Sequence, residues 1–260
     1  MRKRITQILF TYIFWMVAGQ AVLAGNSKTE TLLQEANELF ASAKDNLALQ
    51  KFEQALELEP DCYEALWKSS LLNSRIGLRY SDLLTQQKYF EKAWSYADAA
   101  LCVNPEDAES NYVMALAVYN KANVLGVKER MLRSKVIKFH LDAALNADPA
   151  HADAWQLMGR WNFKNANLSK PEKAAVNMFF GGVSLDASNE KAVEALQKAI
   201  SYNPANISYY YDLACVYREL QKMDLVEVTL LEASELKILT TEELEVSRRC
   251  QAMLREIQKA

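Results

Sequence analysis

Apolar residues recur every three or four positions along most of the chain, the spacing that places them on one face of an α-helix. The first stretch predicts a helix from Thr29 to Asp45, and the second predicts a helix from Leu47 to Glu59 that Pro60 ends. The two apolar stripes consist of Leu32, Leu33, Ala36, Leu39, Phe40 and Ala43, and of Ala48, Phe52, Ala55 and Leu56. β-branched runs in alternation with polar residues are absent from the sequence, so the pattern predicts an all-α fold.

An Ala-x-x-x-x-Pro unit occurs four times, and a motif that recurs regularly indicates a repeat array. The four copies are Ala55–Pro60, Ala100–Pro105, Ala144–Pro149 and Ala199–Pro204. Their prolines are 45, 44 and 55 residues apart, and each copy predicts the end of one unit and the turn into the next. Trp155 and Gly159 stand at the same offsets from their proline as Tyr210 and Ala214, which predicts the same helix packing in both units.

The units after the first differ from it mainly in length. The pattern predicts further helices at Tyr63–Leu78, Ser81–Val103, Asp107–Asn123, Val127–Asn146, Asn189–Tyr202 and Thr241–Lys259, the last as a cover for the exposed end of the array. An insertion from Asn167 to Ser188 separates the two helices of unit four. It is expected to contain a short helix from Pro171 to Phe180, and Ser188 is expected to cap the helix that follows.

The first unit resembles a tetratricopeptide repeat (TPR), a helix-turn-helix of about 34 residues. The family's signature positions are occupied by Leu32, Ala36, Leu39, Ala48, Phe52, Ala55 and Pro60. The resemblance implies a TPR-like right-handed α-solenoid of about five helix-turn-helix units with a C-terminal capping helix, over residues 25–260. It also implies a scaffold that mediates protein–protein interaction.

The amino-acid composition favours helices and disfavours nucleic acid as a partner. Only 7 Gly and 5 Pro occur among 260 residues, fewer than a turn-rich sheet protein needs. The formal net charge is −3, and no basic tract follows the N-terminus. A nucleic-acid surface requires clustered Lys and Arg, so we expect no nucleic-acid partner.

Residues 1–24 have the features of a secretory signal peptide. Basic residues at positions 2–4 precede an apolar stretch from Ile8 to Val17, and Val22-Leu23-Ala24 before Gly25 is a suitable cleavage site. We therefore expect an exported protein, in the periplasm or cell envelope if bacterial and otherwise secreted, with no membrane insertion after cleavage. The alternative is an uncleaved N-terminal anchor, because Ile5 to Leu23 approaches the length of a membrane span.

Export would permit disulfide bonds between the four cysteines. These are Cys62, Cys102, Cys215 and Cys250, and no two of them are close in sequence. Four cysteines allow three pairings, and the sequence does not choose among them. The interpretation that we favour is that they are small buried residues at helix contacts, where free Cys is common.

Residues 155–217 resemble a narrower family, the regulator of microtubule dynamics proteins. The matching segments are Leu157–Trp161, Asn167–Ser169, Glu172–Lys173, Phe179–Gly182, Ala187–Ser188, Ala192 and Ala199–Pro204. Gln156 stands where that family often has His. The family's eukaryotic members associate with microtubules, but an exported protein meets no tubulin. The resemblance therefore implies the TPR-like fold and a scaffold role, and it supplies no catalytic residues.

The first helix of each unit should line the concave surface of the solenoid. Counting from the prolines predicts a peptide-binding groove formed by Trp67, Arg75, Tyr112, Tyr119, Asn120, Gln156, Arg160, Lys164, Tyr211 and Arg218. Aromatic and Arg side chains on a rigid surface are well suited to anchor a peptide. In the alternative, these residues fill the groove or contact the final helix. Arg160 either binds a carboxylate, such as a peptide terminus, or pairs with Glu172 or Asp186 and pins the insertion.

The sequence gives little support for metal binding or catalysis. His140 and His151 are the only histidines and have no cysteine or histidine at metal-ligand spacing. Neither a nucleophile motif nor a phosphate-binding Gly loop is present, so we predict no enzyme activity, no metal and no cofactor. One alternative is a small-ligand binder or enzyme with a closed polar pocket at residues 167–188. Another is a structural part of a cell-envelope assembly, which a large apolar patch on the convex face would indicate.

Overall fold

The computed structural model describes residues 28–180 and 186–258, so the predicted signal peptide over residues 1–24 lies outside the described part of the chain. The described residues form helices and no strands, which confirms the all-α prediction. The helices are α1 (28–41), α2 (Asp45–Leu58), α3 (Tyr63–Leu78), α4 (Leu83–Val103), α5 (Ala108–Leu125), α6 (Val127–Ala147), α7 (Ala152–Ala166), α8 (Lys170–Phe180), α9 (Asn189–Tyr202), α10 (Ile207–Glu219), α11 (Met223–Ser234) and α12 (Thr241–Ile257).

The described helices pair as five helix-turn-helix units. The pairs are α1 with α2, α3 with α4, α5 with α6, α7 with α9, and α10 with α11. Helix α8 is the predicted insertion, and it packs against α6 of the preceding unit. Helix α12 packs against α10 and α11, as the first helix of a sixth unit would, and so covers the apolar end of the array.

Two surfaces follow from this arrangement. Among the first helices, α3 contacts α5, α5 contacts α7, and α7 contacts α10, so these helices line the inner, concave surface. The second helices contact the first helices of their own unit and of the next unit. The outer surface is therefore formed by α2, α4, α6, α9 and α11. The result is the TPR-like solenoid that the repeat pattern predicted.

The turn inside the first unit begins earlier than predicted. Helix α1 ends at residue 41, whereas the apolar spacing predicted a helix that extends to Asp45. Ala43 adopts a left-handed conformation with φ of 54°, and the Lys44 N–H bonds to the Leu39 carbonyl. This bond satisfies a carbonyl at the helix end and frees Asp45 to begin α2. Gln221 ends α10 in the same way, with φ of 57°.

Small residues allow the close helix contacts that the sequence predicted. Ala36, Ala48 and Ala55 are fully buried around the fully buried Phe52. A methyl group added to Gly159 on α7 would come within 2.6 Å of the Leu196 side chain on α9. The predicted role of Gly159 is therefore confirmed, because any side chain there would push the two helices apart.

Several helix ends are capped by side chains. Ser188 accepts a hydrogen bond from the Lys191 N–H at the start of α9, as predicted. Thr240 and Glu243 form a reciprocal capping box that begins α12. Asp107 caps α5 rather than forming its first residue. These caps set where each helix starts, and hence which residues face inward.

The cysteines are all free. Cys62 and Cys250 are buried within helix contacts, which confirms the favoured interpretation for these two. Cys215 is half-buried and Cys102 is exposed near the end of α4, so the interpretation is wrong for Cys102. Cys102 is exposed because it lies on the solvent side of α4, two residues after the buried Ala100.

Candidate functional site

Asp212 on α10 is the centre of a polar network on the inner surface. Its Oδ2 atom accepts hydrogen bonds from Arg160 Nε and from Gln156 Nε2, each at 2.6 Å. The two donors are four residues apart on α7, so one face of that helix presents them together. The side chain of Asp212 is 16% exposed and that of Arg160 is 38% exposed. The network thus joins units four and five while part of Arg160 remains in contact with solvent.

The predicted pairing of Arg160 with Glu172 or Asp186 is wrong. Glu172 pairs with Arg130 on α6, and Asp186 pairs with Lys191 at 2.5 Å. The reason is the packing of the elements: α7 lies beside α10, whereas the insertion helix α8 lies against α6. Arg160 therefore links two repeat units, and Arg130 pins the insertion.

Two tyrosines of α5 lie beside this network. Burial raises the pKa of Tyr112 well above its ordinary value, although the nearby guanidinium groups of Arg75 and Arg160 oppose this effect. Burial also raises the pKa of Tyr119, against the opposing effects of Arg160 and Arg130. Arg75 on α3, Arg160 on α7 and Arg130 on α6 therefore lie near the two tyrosines of α5. We call Arg75, Tyr112, Arg160, Tyr119 and Arg130 the Arg–Tyr cluster. Both tyrosine hydroxyls are protonated at neutral pH and can donate hydrogen bonds.

The inner surface continues onto α3. Lys68 Nζ lies 5.1 Å from the ring centroid of the half-buried Trp67. The guanidinium carbon of the exposed Arg75 lies 5.1 Å from the ring centroid of Phe40. Arg75 is thus held at the surface, whereas Lys68 is largely buried and pairs with Glu64 at 2.6 Å. Asn120, in contrast, is buried on α5, and its amide nitrogen has no hydrogen-bond partner within the described residues.

Tyr211 and Arg218 of the predicted groove face the final helix. Arg218 Nη1 lies 3.9 Å from Glu256 Oε2 on α12, and Arg249 of α12 lies close enough to influence the pKa of Tyr211. Burial raises the pKa of Cys250 to about 11, so its thiol between α10 and α12 stays protonated and unreactive. Arg218 remains exposed beside α12, so the inner surface continues from α10 onto the final helix.

Lys164 is exposed on α7, near the insertion helix α8. Burial, together with the charge of Arg130, lowers the pKa of Lys164. A cavity of about 20 Å³ is lined by residues that include Tyr119, Trp161 and Lys164. That volume holds about one water molecule and is far below the roughly 300 Å³ of a small-ligand site. This cavity is therefore too small to be the closed ligand pocket that the alternative function requires.

The histidines take structural positions. His151 Nδ1 accepts a hydrogen bond from the Ala154 N–H and so caps α7. Nδ1 of His140 lies 2.9 Å from Asn111 Oδ1, and burial lowers the pKa of this histidine. Within residues 28–180 and 186–258, no three His, Cys, Asp or Glu side chains come together as a metal would require. None of the helices in this part of the chain combines the length and hydropathy needed to cross a bilayer.

Sequence reasoning missed Asp212 and Arg130, although both organise the site. Asp212 follows three tyrosines and precedes Leu213 in a helix that is largely buried. A carboxylate in such a setting requires a cationic partner, and this was the available signal. Arg130 gave no comparable signal, because α6 carries basic residues on several faces.

The fold and this inner surface define the class of protein: it is a TPR-like helical repeat protein. A thermophilic TPR protein from Thermus thermophilus superposes with a TM-score of 0.62 at 17% identity, over 87% of this chain and 99% of its own. PilW, a type IV pilus biogenesis factor, superposes with a TM-score of 0.54 at 16% identity, over 88% of this chain and 92% of its own. At these identities the likeness shows the fold alone.

The chain belongs to the family of regulator of microtubule dynamics proteins 1-3, whose model matches residues 32–258. Regulator of microtubule dynamics protein 3 from Rattus norvegicus is 28% identical over 233 residues, which are 85% of this chain and 47% of the rat protein. Regulator of microtubule dynamics protein 1 from Pongo abelii is 22% identical over 246 residues, 93% of this chain and 76% of its own length. The chain therefore spans about half the length of the rat relative. The resemblance seen at residues 155–217 is confirmed, and it extends over nearly all of the described residues.

Proposed function

We propose that the protein is a non-catalytic scaffold whose inner surface binds an acidic segment of a partner protein. The observation that carries this proposal is the Arg–Tyr cluster. The charges of Arg75 and Arg160 lie near enough to Tyr112, and those of Arg160 and Arg130 near enough to Tyr119, to act against the rise in the pKa of each tyrosine. Guanidinium groups bind carboxylates through charge-assisted hydrogen bonds, and a rigid tyrosine beside them supplies apolar contact and a donor.

Among the arginines of the Arg–Tyr cluster, Arg75 favours an acidic segment over a basic one. The carboxylates near the cluster already have partners: Asp212 binds Arg160, the Tyr209 hydroxyl donates to Asp153, and Glu172 binds Arg130. Arg75 is exposed and contacts the Phe40 ring rather than a carboxylate. A partner carboxylate placed beside Arg75 therefore gains an ion pair without breaking an existing one.

Fluorescence anisotropy with a labelled peptide rich in Glu and Tyr, and with the same peptide in which Gln replaces Glu, tests this proposal. We expect the Glu peptide to bind more tightly than the Gln peptide. Arg75→Glu should weaken its binding at least tenfold, because one attractive charge becomes repulsive beside the bound carboxylate. Tyr112→Phe, which removes only a hydroxyl, should weaken binding by a smaller factor.

Lys88→Glu on α4 is the matched control, because it makes the same charge change at an exposed position of an outer helix. It should leave peptide affinity within about twofold, since screening removes distant surface charges. Equal losses in Lys88→Glu and Arg75→Glu, or equal affinity for the Glu and Gln peptides, would contradict binding at the Arg–Tyr cluster.

A second candidate function comes from the names of the relatives, which are regulators of microtubule dynamics. Family membership supports this candidate, and co-sedimentation with polymerised microtubules tests it. It requires the chain to remain where tubulin is present.

Export, which the N-terminal sequence predicts, belongs to our first proposal and is tested by the N-terminus of the purified native protein. An N-terminus at Gly25 favours export, and an intact Met1 on membranes favours an anchor.

A further inference from the structure

Helix α6 differs in charge from the other outer helices. It carries five basic and two acidic residues, a net charge of +3 in a chain of net charge −3. The other outer helices, α2, α4, α9 and α11, range from −3 to neutral. The two acidic residues of α6 are engaged within the helix: Glu129 binds Arg133 at 3.0 Å and Asp142 binds Lys138 at 2.7 Å. Among these outer helices, α6 alone is therefore basic.

The solvent side of α6 combines this charge with large apolar side chains. Between residues 127 and 141, the exposed positions are Lys128, Leu132, Lys135, Val136 and Phe139. Leu132 is 49% exposed, Val136 44% and Phe139 66%. Their spacing of four, three, one and three residues places them on one face of the helix. We call these five residues the α6 outer face. It contains lysines and apolar side chains and no carboxylate.

We propose that the α6 outer face docks on the surface of an anionic lipid bilayer. Lysines that flank an apolar stripe suit this surface, because the ammonium groups meet the phosphates while Leu132, Val136 and Phe139 enter the boundary with the acyl chains. The neighbouring insertion helix α8 adds the exposed lysines Lys170 and Lys173 beside α6. Docking through the outer surface leaves the inner surface open to solvent, so this inference is independent of peptide binding.

Protein occupants fit this face less well. The three apolar side chains present on the order of 300 Å², whereas a stable protein interface buries roughly 800 Å² on each partner. A second copy of the chain would bring two lysine-bearing faces together, and like charges repel. A partner that wraps around a basic helix is blocked, because α6 packs against α5 on its other side. A bilayer needs only the exposed face.

Vesicle co-sedimentation of the full chain tests the proposal, with vesicles of phosphatidylcholine alone and with about a third of phosphatidylglycerol added. The N-terminal apolar segment is present in every variant, so the preference for anionic over neutral vesicles is the relevant quantity. We expect the wild type to prefer anionic vesicles at least tenfold. Lys135→Glu should remove most of this preference, and Phe139→Ser should lower binding to anionic vesicles several-fold.

Two controls make the same chemical changes elsewhere on the surface: Lys237→Glu, and Leu239→Ser at a position that is 72% exposed. Both should keep the wild-type preference, and circular dichroism melting should show that all four variants remain folded. A wild type without preference for anionic vesicles would overturn the proposal, as would equal losses in α6 and control variants.

Without a vesicle preference, binding of labelled polyglutamate that Lys135→Glu abolishes would assign the face to an acidic protein. A dimer in sedimentation velocity that Leu132→Ser abolishes would assign it to a second copy.

Discussion

A single carboxylate holds two repeat units in register at the site. Asp212 accepts hydrogen bonds from both Arg160 and Gln156, and such charge-assisted bonds are about twice as strong as neutral ones. Arg160 and Gln156 were predicted to line a groove, and they do lie on the inner surface, but part of their bonding capacity serves the structure. Under the proposed function, the partner would use the remaining hydrogen-bonding capacity of Arg160, whose side chain is 38% exposed. The sequence predicted that Arg160 and Gln156 share one face of α7. It did not predict that both would bind Asp212 and so stabilise the fold.

Gly159→Ala tests the close contact between α7 and α9. The added methyl group would meet the fully buried Leu196 at 2.6 Å, a distance that requires repacking. Overpacking costs about 2 kcal/mol and exceeds the roughly 1 kcal/mol that Ala gains over Gly in a helix. We therefore expect the free energy of unfolding in urea to fall by about 1 kcal/mol. The double variant Gly159→Ala, Leu196→Val should recover part of the loss. A single variant more stable than the wild type would refute the packing argument.

At the scale of elements, the position of the insertion helix α8 depends on its contact with α6. The sequence predicted its existence and nearly its boundaries, because Pro171 suits the first turn of a helix. Its docking on α6 depends on Glu172, which binds Arg130 and accepts a hydrogen bond from the Ser169 N–H at 2.8 Å. The ion pair joins residues 42 positions apart. No local pattern encodes a contact at such a separation, so only the packed structure reveals it.

Glu172 should make the docking of α8 dependent on pH. Burial acts to raise the pKa of Glu172, but the bonds to Ser169 and the charge of Arg130 outweigh it and lower the pKa below the ordinary value of 4.5. A depressed carboxyl pKa contributes stability above the unfolded value, and this stability is lost as the pH falls below 4.5 through the folded value. The protection factors of the α8 amides, which compare their exchange rates with those of an unfolded chain at the same pH, should therefore fall below about pH 4.

Glu172→Gln should show faster exchange in α8 already at neutral pH, by about 1 kcal/mol, together with a flatter response to acid. Glu194→Gln is the control, because its pairing with Lys198 is exposed and worth little. If exchange in α8 is the same in the wild type and in Glu172→Gln at neutral pH, the ion pair does not hold the insertion.

At the scale of the whole molecule, the first and last parts of the array meet. Arg79, just after α3, pairs with Asp45 at the start of α2 and with Glu242 of α12, the latter at 2.6 Å. Asp45 is 4% exposed, so its charge is compensated by Arg79 in a nearly dry environment. The solenoid is thus curved enough for the capping helix to reach unit two. The repeat pattern predicted the number of units and the cap, but not this closure.

Arg79→Ala should destabilise the whole molecule more than Glu242→Gln does. It leaves the buried Asp45 charge without its partner, and we expect a loss of about 2 kcal/mol in the free energy of unfolding. Glu242→Gln removes only the exposed half of the arrangement and should cost about 0.5 kcal/mol or less. Urea unfolding measures both, with Lys92→Ala as a control for an exposed pair. The reverse order of the two losses would show that Asp45 does not depend on Arg79.

The sequence by itself determined the elements of this protein: the helices, their pairing into units, the small residues at helix contacts and the family. These features depend on spacing within one helix or between neighbouring helices, and such spacing is visible in the chain. The tertiary structure alone decided that Asp212 binds Arg160, that Tyr211 lies beside α12, and that Arg79 joins both ends of the array. Each of these depends on how far every unit is rotated relative to the one before it. Small rotations add along a solenoid, and the contacts that result join residues far apart in sequence.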